Sequence, residues 1–273
     1  MAQDPVLSAL EHHADGLTQA RRVCVAFSGG LDSTVLLHAA GRCFAGRVTA
    51  LHVNHGLQPG AQAWAEHCQT LCAQWKIALE SVELQLDDRK RDATRDPGAE
   101  RADGVEAAAR VARYHWFESR LEPGDVLLMA HHQDDQAETL LLRLLRGAGP
   151  QGLAAMPVSR SLGRAELLRP FLELPRRDLQ AYAAEHALRW IDDPSNQDLR
   201  FDRNYLRHAV IPQLEQRWPG YRATLSRSAK QLREQNEHFP GPALDTVHNS
   251  FGDPGFALAT LPREPTLAAL ALR

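Results

Sequence analysis

No stretch of this 273-residue chain approaches the roughly 18 consecutive apolar residues of a membrane span, so no spanning helix is expected. The first fifteen residues, Met1 to Asp15, lack the basic start and apolar core of an export signal. Cysteine is sparse: Cys24, Cys43, Cys68 and Cys72, with no C-x-x-C pair among them. That pattern gives no disulfide framework and reads as reduced thiols in a cytoplasmic protein. Nor is there an excess of positive charge, since the net charge is −3 and the pI about 6.5, so the chain as a whole is no general binder of nucleic acid.

What is present is ordinary globular text, 44% apolar and 24% charged. Arg22 to Phe27, Arg47 to Val53, Ile77 to Leu84 and Asp125 to Ala130 are short apolar runs. Between them lie helical periodicities from Leu31, over Ala61 to Trp75, over Val105 to Leu121 and over Asp135 to Arg146. Strands alternating with helices of this length predict a doubly wound parallel sheet. Pro175 to His186 is a further helix, and Leu188 to Ile191 a candidate fifth strand. Residues 86–104 are nearly all charge, proline and glycine, and are expected to form a mobile loop. Residues 1–213 are expected to form the catalytic domain, and 214–273 a helical appendage with a turn-rich tail.

The first strand runs into Ser28-Gly29-Gly30-Leu31-Asp32-Ser33 at the start of a helix. Glycines let the backbone curl around a phosphate, and a helix N-terminus presents N–H donors and a positive dipole end. Ser28 and Ser33 add hydroxyls. Asp32 would repel a bare phosphate, a conflict removed if it holds Mg²⁺ bound to the phosphates. There is no Gly-Lys-Ser/Thr, so this is not a Walker-type loop. A structural glycine turn is the plain alternative. A second constellation argues against it: His131-His132-Gln133-Asp134-Asp135-Gln136-Ala137-Glu138-Thr139 follows the fourth strand. Both motifs sit at carboxyl ends of strands, where open parallel sheets bind ligands. Asp135 and Glu138 share a helix face and, with Asp32, would make an oxygen-rich Mg²⁺ site. Asp134 reads as a helix N-cap. His131 is open to a structural or a catalytic role.

Arg200 to Glu234 is locally basic, with Arg200, Arg203, Arg207, Arg217, Arg222, Arg227, Lys230 and Arg233 against Asp202, Glu215 and Glu234. Two readings stand for Arg203, Asn204 and Arg207: contact with an RNA backbone, or ion pairs from the arginines to Asp193 and Asp202.

The loop SGGLDS resembles that of the N-type ATP pyrophosphatases. Together with LHVNHGL (Leu51 to Leu57), EAAARVARY (Glu106 to Tyr114), HHQDDQAET, RGAGPQGLAAM (Arg146 to Met156), RPFLELPR (Arg169 to Arg176) and Asp192 to Leu214, it is similar to the tRNA(Ile)-lysidine synthetase family. The resemblance runs from about Arg21 to about Arg233 and implies an adenine nucleotide alpha hydrolase-like sheet with a helical C-terminal appendage. It implies ATP and Mg²⁺ as cofactors, with L-lysine and the isoleucine tRNA of CAU anticodon as partners. ATP would adenylate the wobble cytidine at its C2 oxygen, and the lysine ε-amine would displace AMP. On that resemblance Asp32, His131, Asp135, Glu138 and Arg110 are the expected catalytic residues, with Arg113 a further candidate. Ser28, Gly29, Gly30, Leu31, Asp32 and Ser33 would bind ATP, and the backbone at His52, Val53 and Asn54 would meet the adenine. Asp32, Asp135 and Glu138 would bind metal, and Arg203, Asn204 and Arg207 would bind tRNA. The family's further C-terminal domains are not expected in this chain. Rival readings are tRNA thiolation by a related enzyme, which wants paired cysteines, and a nucleotide-binding module without turnover.

Overall fold

The computed structural model describes residues 4–54, 60–84, 102–238, 246–248 and 254–256. Helices α1 (Pro5–Glu11) and α2 (Ala14–Gln19) lead into β1 (Arg22–Ala26), α3 (Leu31–Cys43), β2 (Val48–Asn54), α4 (Ala61–Trp75) and β3 (Ala78–Glu83). Then come α5 (Ala102–Arg120), β4 (Asp125–Leu128), α6 (Gln133–Leu145), α7 (Pro150–Leu153), β5 (Ser159–Leu162), β6 (Ala165–Leu168) and α8 (Arg176–Glu185). The helical end comprises α9 (Asp202–Tyr205), a π turn (Leu206–Val210), α10 (Ile211–Arg217) and α11 (Tyr221–His238). Strands β7 (Thr246–His248) and β8 (Pro254–Phe256) pair in the tail. No described helix is long and apolar enough to cross a membrane.

The main sheet has the order β3-β2-β1-β4-β6-β5. Its first five strands run parallel, with Val23 opposite both Val48 and Val126 and Leu128 opposite Leu168. Only β5 is antiparallel, folded back on β6. The continuous apolar text of the strands is explained by burial on both faces. Val23, Val25, Val126, Leu128 and Leu168 point into one core with α1, α3 and α8. Their chain neighbours Cys24, Leu127, Met129 and Leu167 point into the other, with Phe117 and Leu121 of α5. Each fully buried Leu or Val contributes about 1.5–3 kcal/mol, so the two-faced alternation fixes the register of these strands.

The expected strand at Leu188 to Ile191 does not form. Those residues leave α8 as extended chain, and Ile191 N–H donates instead to the Gly29 carbonyl (3.0 Å) beside the glycine turn. The fifth parallel strand is β6, only four residues long and reached through a tight turn at Gly163 (φ 56°). Helix α5 begins at Ala102, inside the expected loop, while residues 85–101 lie outside the described residues, as does most of the expected turn-rich tail. Helix α11 folds back onto α6 through Ala137, Tyr221 and Ile211 and through Leu140, Ala155 and Ala229. The helical end is therefore packed beside the carboxyl edge of the sheet.

Candidate active site

At the carboxyl end of β1 the chain makes a turn whose shape is set by neighbours on α4. Gly29 has φ 82°, a left-handed conformation that glycine tolerates. A Cβ there would meet Cys68 Sγ and Trp64 Nε1, both at 2.8 Å. Trp64 Nε1 donates to the Ser28 carbonyl (2.6 Å) and clamps the turn from outside. Ser33 Oγ accepts from Ser28 N–H (3.2 Å) and meets Ser28 Oγ (2.9 Å), so the two hydroxyls brace each other across the loop. Gly30, in extended conformation, starts α3 without any side-chain cap. The leading N–H groups of α3 are thus left for a ligand, with the dipole behind them.

The adjoining strand end, where the backbone was expected to meet the adenine, carries His52. Its imidazole is buried, with Nδ1–H donating to the Phe27 carbonyl (2.9 Å), and burial holds its pKa below the usual value. His52 therefore supports the base of the turn. Val53 and Asn54 are half-buried at the edge, the Asn54 carbonyl accepting from Leu84 N–H (2.8 Å).

Across the cleft, α6 is capped by His132, whose Nδ1 accepts from Asp135 N–H (3.4 Å) while Asp135 Oδ2 accepts from His132 N–H (3.0 Å). Asp134 is not the cap of this helix, contrary to expectation. It accepts from Arg176 N–H (2.9 Å), the first residue of α8, and from Arg222 Nε of α11 (2.5 Å). One acid thereby fastens three helices. His132 Nε2 lies 3.6 Å from Asp32 Oδ2 and 3.4 Å from Asp135 Oδ2, so the acids of both motifs converge on one buried imidazole. Burial opposes a charge on His132, but Asp135 and Asp32 raise its pKa above the usual value. Burial likewise opposes the Asp135 carboxylate, yet His132, Arg203 and His131 hold its pKa well below the usual range.

Glu138 is only 1% exposed. Its Oε1 accepts from Arg207 Nε (2.8 Å), and its Oε2 from Arg203 Nε (2.8 Å) and Arg207 Nη2 (2.9 Å). Arg207 and Arg203 also reach Asp135 Oδ1, at 3.4 and 3.6 Å. The side-chain pairing departs from the expected arrangement in two respects. Asp32 and Asp135 meet at His132, whereas the Glu138 oxygens face two guanidiniums, and among the described residues no group of three His, Cys, Asp or Glu is arranged to hold a metal ion. The physical reason is that a carboxylate buried as deeply as Glu138 requires counter-charge, and two guanidinium forks supply it. In addition, Arg203, Asn204 and Arg207 face inward. Asn204 is buried, donating to the Ser195 and Asp198 carbonyls (2.8 and 3.0 Å). Ion pairing was the right kind of alternative for the arginines, but their partners are Glu138 and Asp135 rather than Asp193 and Asp202.

His131 follows β4 and accepts at Nδ1 from Arg169 Nε (3.2 Å). Burial lowers its pKa to about 4. Arg110 is exposed on α5, 5.3 Å over the Tyr114 ring, and acts on His131 through its charge; Arg113, also exposed, bears on His52 in the same way. Four site residues were missed from sequence: His132, Arg169, Arg176, whose Nε reaches Asp32 Oδ1 at 3.4 Å, and Arg222. The signal for Arg169 and Arg176 was the segment RPFLELPR, which they begin and end. Nothing local singled out Arg222 among its basic neighbours.

Residues 4–214 match the PP-loop domain family. The chain belongs to the PP-loop family. This PP-loop chain is 50% identical over 214 residues to a tRNA(Ile)-lysidine synthase of Pseudomonas fluorescens, covering 77% of the chain and 46% of that protein. It is 46% identical over 268 residues to a tRNA(Ile)-lysidine synthase of Alkalilimnicola ehrlichii, covering 96% and 58% respectively. The chain spans about half the length of the curated relatives it matches. Among solved structures, a U34-tRNA thiolase, NcsA from Methanococcus maripaludis, superposes with a TM-score of 0.62 over 87% of this chain and 80% of that one. At 16% identity that likeness is one of fold, the doubly wound PP-loop sheet.

Proposed function

We propose that this chain uses ATP to adenylate the C2 oxygen of the wobble cytidine in the CAU-anticodon isoleucine tRNA, and then joins L-lysine there through its ε-amine, releasing AMP. The observation that carries this reading is the meeting of Asp32, behind the uncapped glycine turn, with Asp135 on one imidazole, His132. An anion-binding helix start faces an acid-and-arginine centre at the carboxyl edge of a parallel sheet. Its similarity to tRNA(Ile)-lysidine synthases supports the choice of substrates.

In this reading the N–H groups at Leu31 and Asp32, the first of α3, bind the leaving pyrophosphate and stabilise its charge. Residues at the end of β2, Val53 and Asn54, flank the adenine. Asp32, part exposed beside the turn, fits Mg²⁺ with Asp135, which meets the same imidazole, as a second acid, since Mg²⁺ commonly takes one or two carboxylates together with phosphates. Bound there, the ion would neutralise phosphate charge. Glu138 does not fit as a ligand, because its oxygens are filled by Arg203 and Arg207. Its role is to hold those guanidiniums beside Asp135, from which they attract the negatively charged reacting phosphate. Arg110, exposed at the rim, is free of that clamp and suited to the RNA backbone. The reading places the protein in the cytoplasm with its tRNA.

Thiolation is disfavoured by the cysteines. Burial raises Cys24 and Cys68 to about 12 and Cys72 to about 11, which leaves no ready thiolate among these three. The deciding experiment is ATP-dependent transfer of labelled lysine to the cognate tRNA transcript. Incorporation that depends on the CAU anticodon is expected. Binding of ATP without any transfer, with full-length relatives active in parallel, would remove the assignment.

A further inference from the structure

Arg169 is the first residue beyond β6 and His131 the third beyond β4. These strands are parallel neighbours with Leu128 opposite Leu168, so both side chains emerge at the carboxyl edge. Arg169 is 3% exposed, yet among the described residues no carboxylate pairs with it. Its partners are neutral, the Tyr114 hydroxyl among them. Nη1 donates to the Pro157 carbonyl (2.8 Å), Nε donates to His131 Nδ1 (3.2 Å), and its backbone N–H donates to the Val158 carbonyl (2.8 Å). A buried cation held by neutral groups is costly, which asks for a reason beyond packing.

The chemistry of the two side chains supplies one. A guanidinium carries all its protons throughout the range in which proteins fold, so its Nε can only donate. The nitrogen that receives must present a lone pair. An imidazole with its lone pair at Nδ1 carries its single proton at Nε2. Adding a second proton, at Nδ1, would set two N–H groups and two positive charges face to face. The other charges near the ring are Asp135 of α6, Arg203 of α9 and Arg110 of α5, so cations outnumber the one acid. Burial acts in the same direction.

We propose that Arg169 is a positioning residue that locks His131 as the neutral Nε2–H tautomer, so that His131 serves the reaction as a hydrogen-bond donor to an oxygen anion and not as a base. The donor role rests on the function proposed above, whereas the lock itself does not. The amine's proton must then leave to another acceptor than His131. A neutral imidazole is a well-matched electrophile of this kind, because it donates without bringing a proton that can be lost to the product.

The test reads the tautomer without turnover. In ¹⁵N-labelled full chain, long-range proton–nitrogen correlation of the His131 ring should show an unprotonated Nδ1 and a protonated Nε2, unchanged between about pH 5.5 and 8. Arg169→Met should turn this into a mixture of tautomers that titrates near the ordinary histidine range, and Arg169→Lys should restore the single form. A protonated Nδ1 in the unaltered protein, or an Arg169→Met spectrum identical to it, overturns the lock. Should Arg169→Met fail to fold, the spectrum of the unaltered protein still decides. ATP–pyrophosphate exchange with the tRNA transcript examines the donor role: His131→Gln, a neutral donor, should stay within about tenfold of the unaltered enzyme while His131→Ala falls further, by about a hundredfold. Equal losses in both would overturn the donor role. Absence of exchange from the unaltered protein would instead overturn the reaction assigned to the site.

Discussion

The two halves of the site are built on opposite plans. The half proposed to bind the anion is six consecutive residues, Ser28 to Ser33, and what it offers is backbone N–H donors oriented by one turn. The charged half draws on residues 131–138, 169, 176, 203, 207 and 222, brought together only by the fold. The first half tolerates no added atom at Gly29, which is hemmed in by Cys68 and Trp64. The second tolerates no lost charge, because Glu138, Asp135, Arg203 and Arg207 compensate one another out of water. Local geometry and long-range charge balance are thus separate conditions for one active site, and they should fail separately.

Removing the counter-charge is expected to have the largest effect. Glu138→Ala leaves two guanidiniums facing each other and should cost about 3–5 kcal/mol in urea denaturation, the usual penalty for breaking a buried ion pair. Arg207→Ala should accordingly lower the melting temperature while leaving the salt dependence of tRNA binding unchanged. A salt slope flatter by about one unit with an unaltered melting temperature would return Arg207 to the RNA surface. On the other half, Gly29→Ala should cost about 2 kcal/mol through its left-handed backbone and the contact with Cys68 and Trp64. It should weaken ATP binding by calorimetry, and Cys68→Ala should recover part of the stability. Recovery of nothing would place the strain in the backbone alone.

Two smaller effects concern what joins the halves. His38 on α3 meets the Tyr182 hydroxyl of α8 at 3.0 Å, and burial, then His186 and Arg42, lowers its pKa to about 4. A pKa lowered in the folded state means that the unfolded chain takes up the proton first as pH falls. Stability is therefore full above about pH 6.5 and declines toward pH 4, by about 1 kcal/mol between pH 7 and 5.5. Thermal melts should show that decline, and His38→Gln should flatten it. Smallest of all, Arg222→Gln removes one of the two donors to Asp134 and should cost about 0.5–1 kcal/mol, since Arg176 N–H remains. A larger loss, with α11 opened to hydrogen exchange, would mean that Arg222 carries the docking of that helix.

The sheet was legible where strands are long and buried on both faces, as at Arg22–Ala26 and Val48–Asn54. It was not legible at Ala165–Leu168, where four residues hold too little periodicity to separate strand from loop. Leu188 to Ile191 has strand-like text, but its hydrogen-bonding partner is the Gly29 carbonyl rather than a neighbouring strand. Asp134 was legible as a capping acid, while the helix it caps, α8, lies 42 residues further on.

From the sequence alone came the glycine turn, the placing of both motifs at strand ends, and the pairing of Asp135 with Glu138 on one helix face. These follow from short-range geometry: a strand running into a glycine pair, and a helical repeat that sets residues three apart side by side. Which charges meet which was decided by the tertiary structure. Arg203 and Arg207 are 65 and 69 residues from Glu138, and the sequence offers them several acids nearer at hand. Solvated acids such as Asp202 give an arginine little, whereas the buried Glu138 has lost its water and needs a cationic partner in its place. Burial made that choice, and burial is a property of the packed chain.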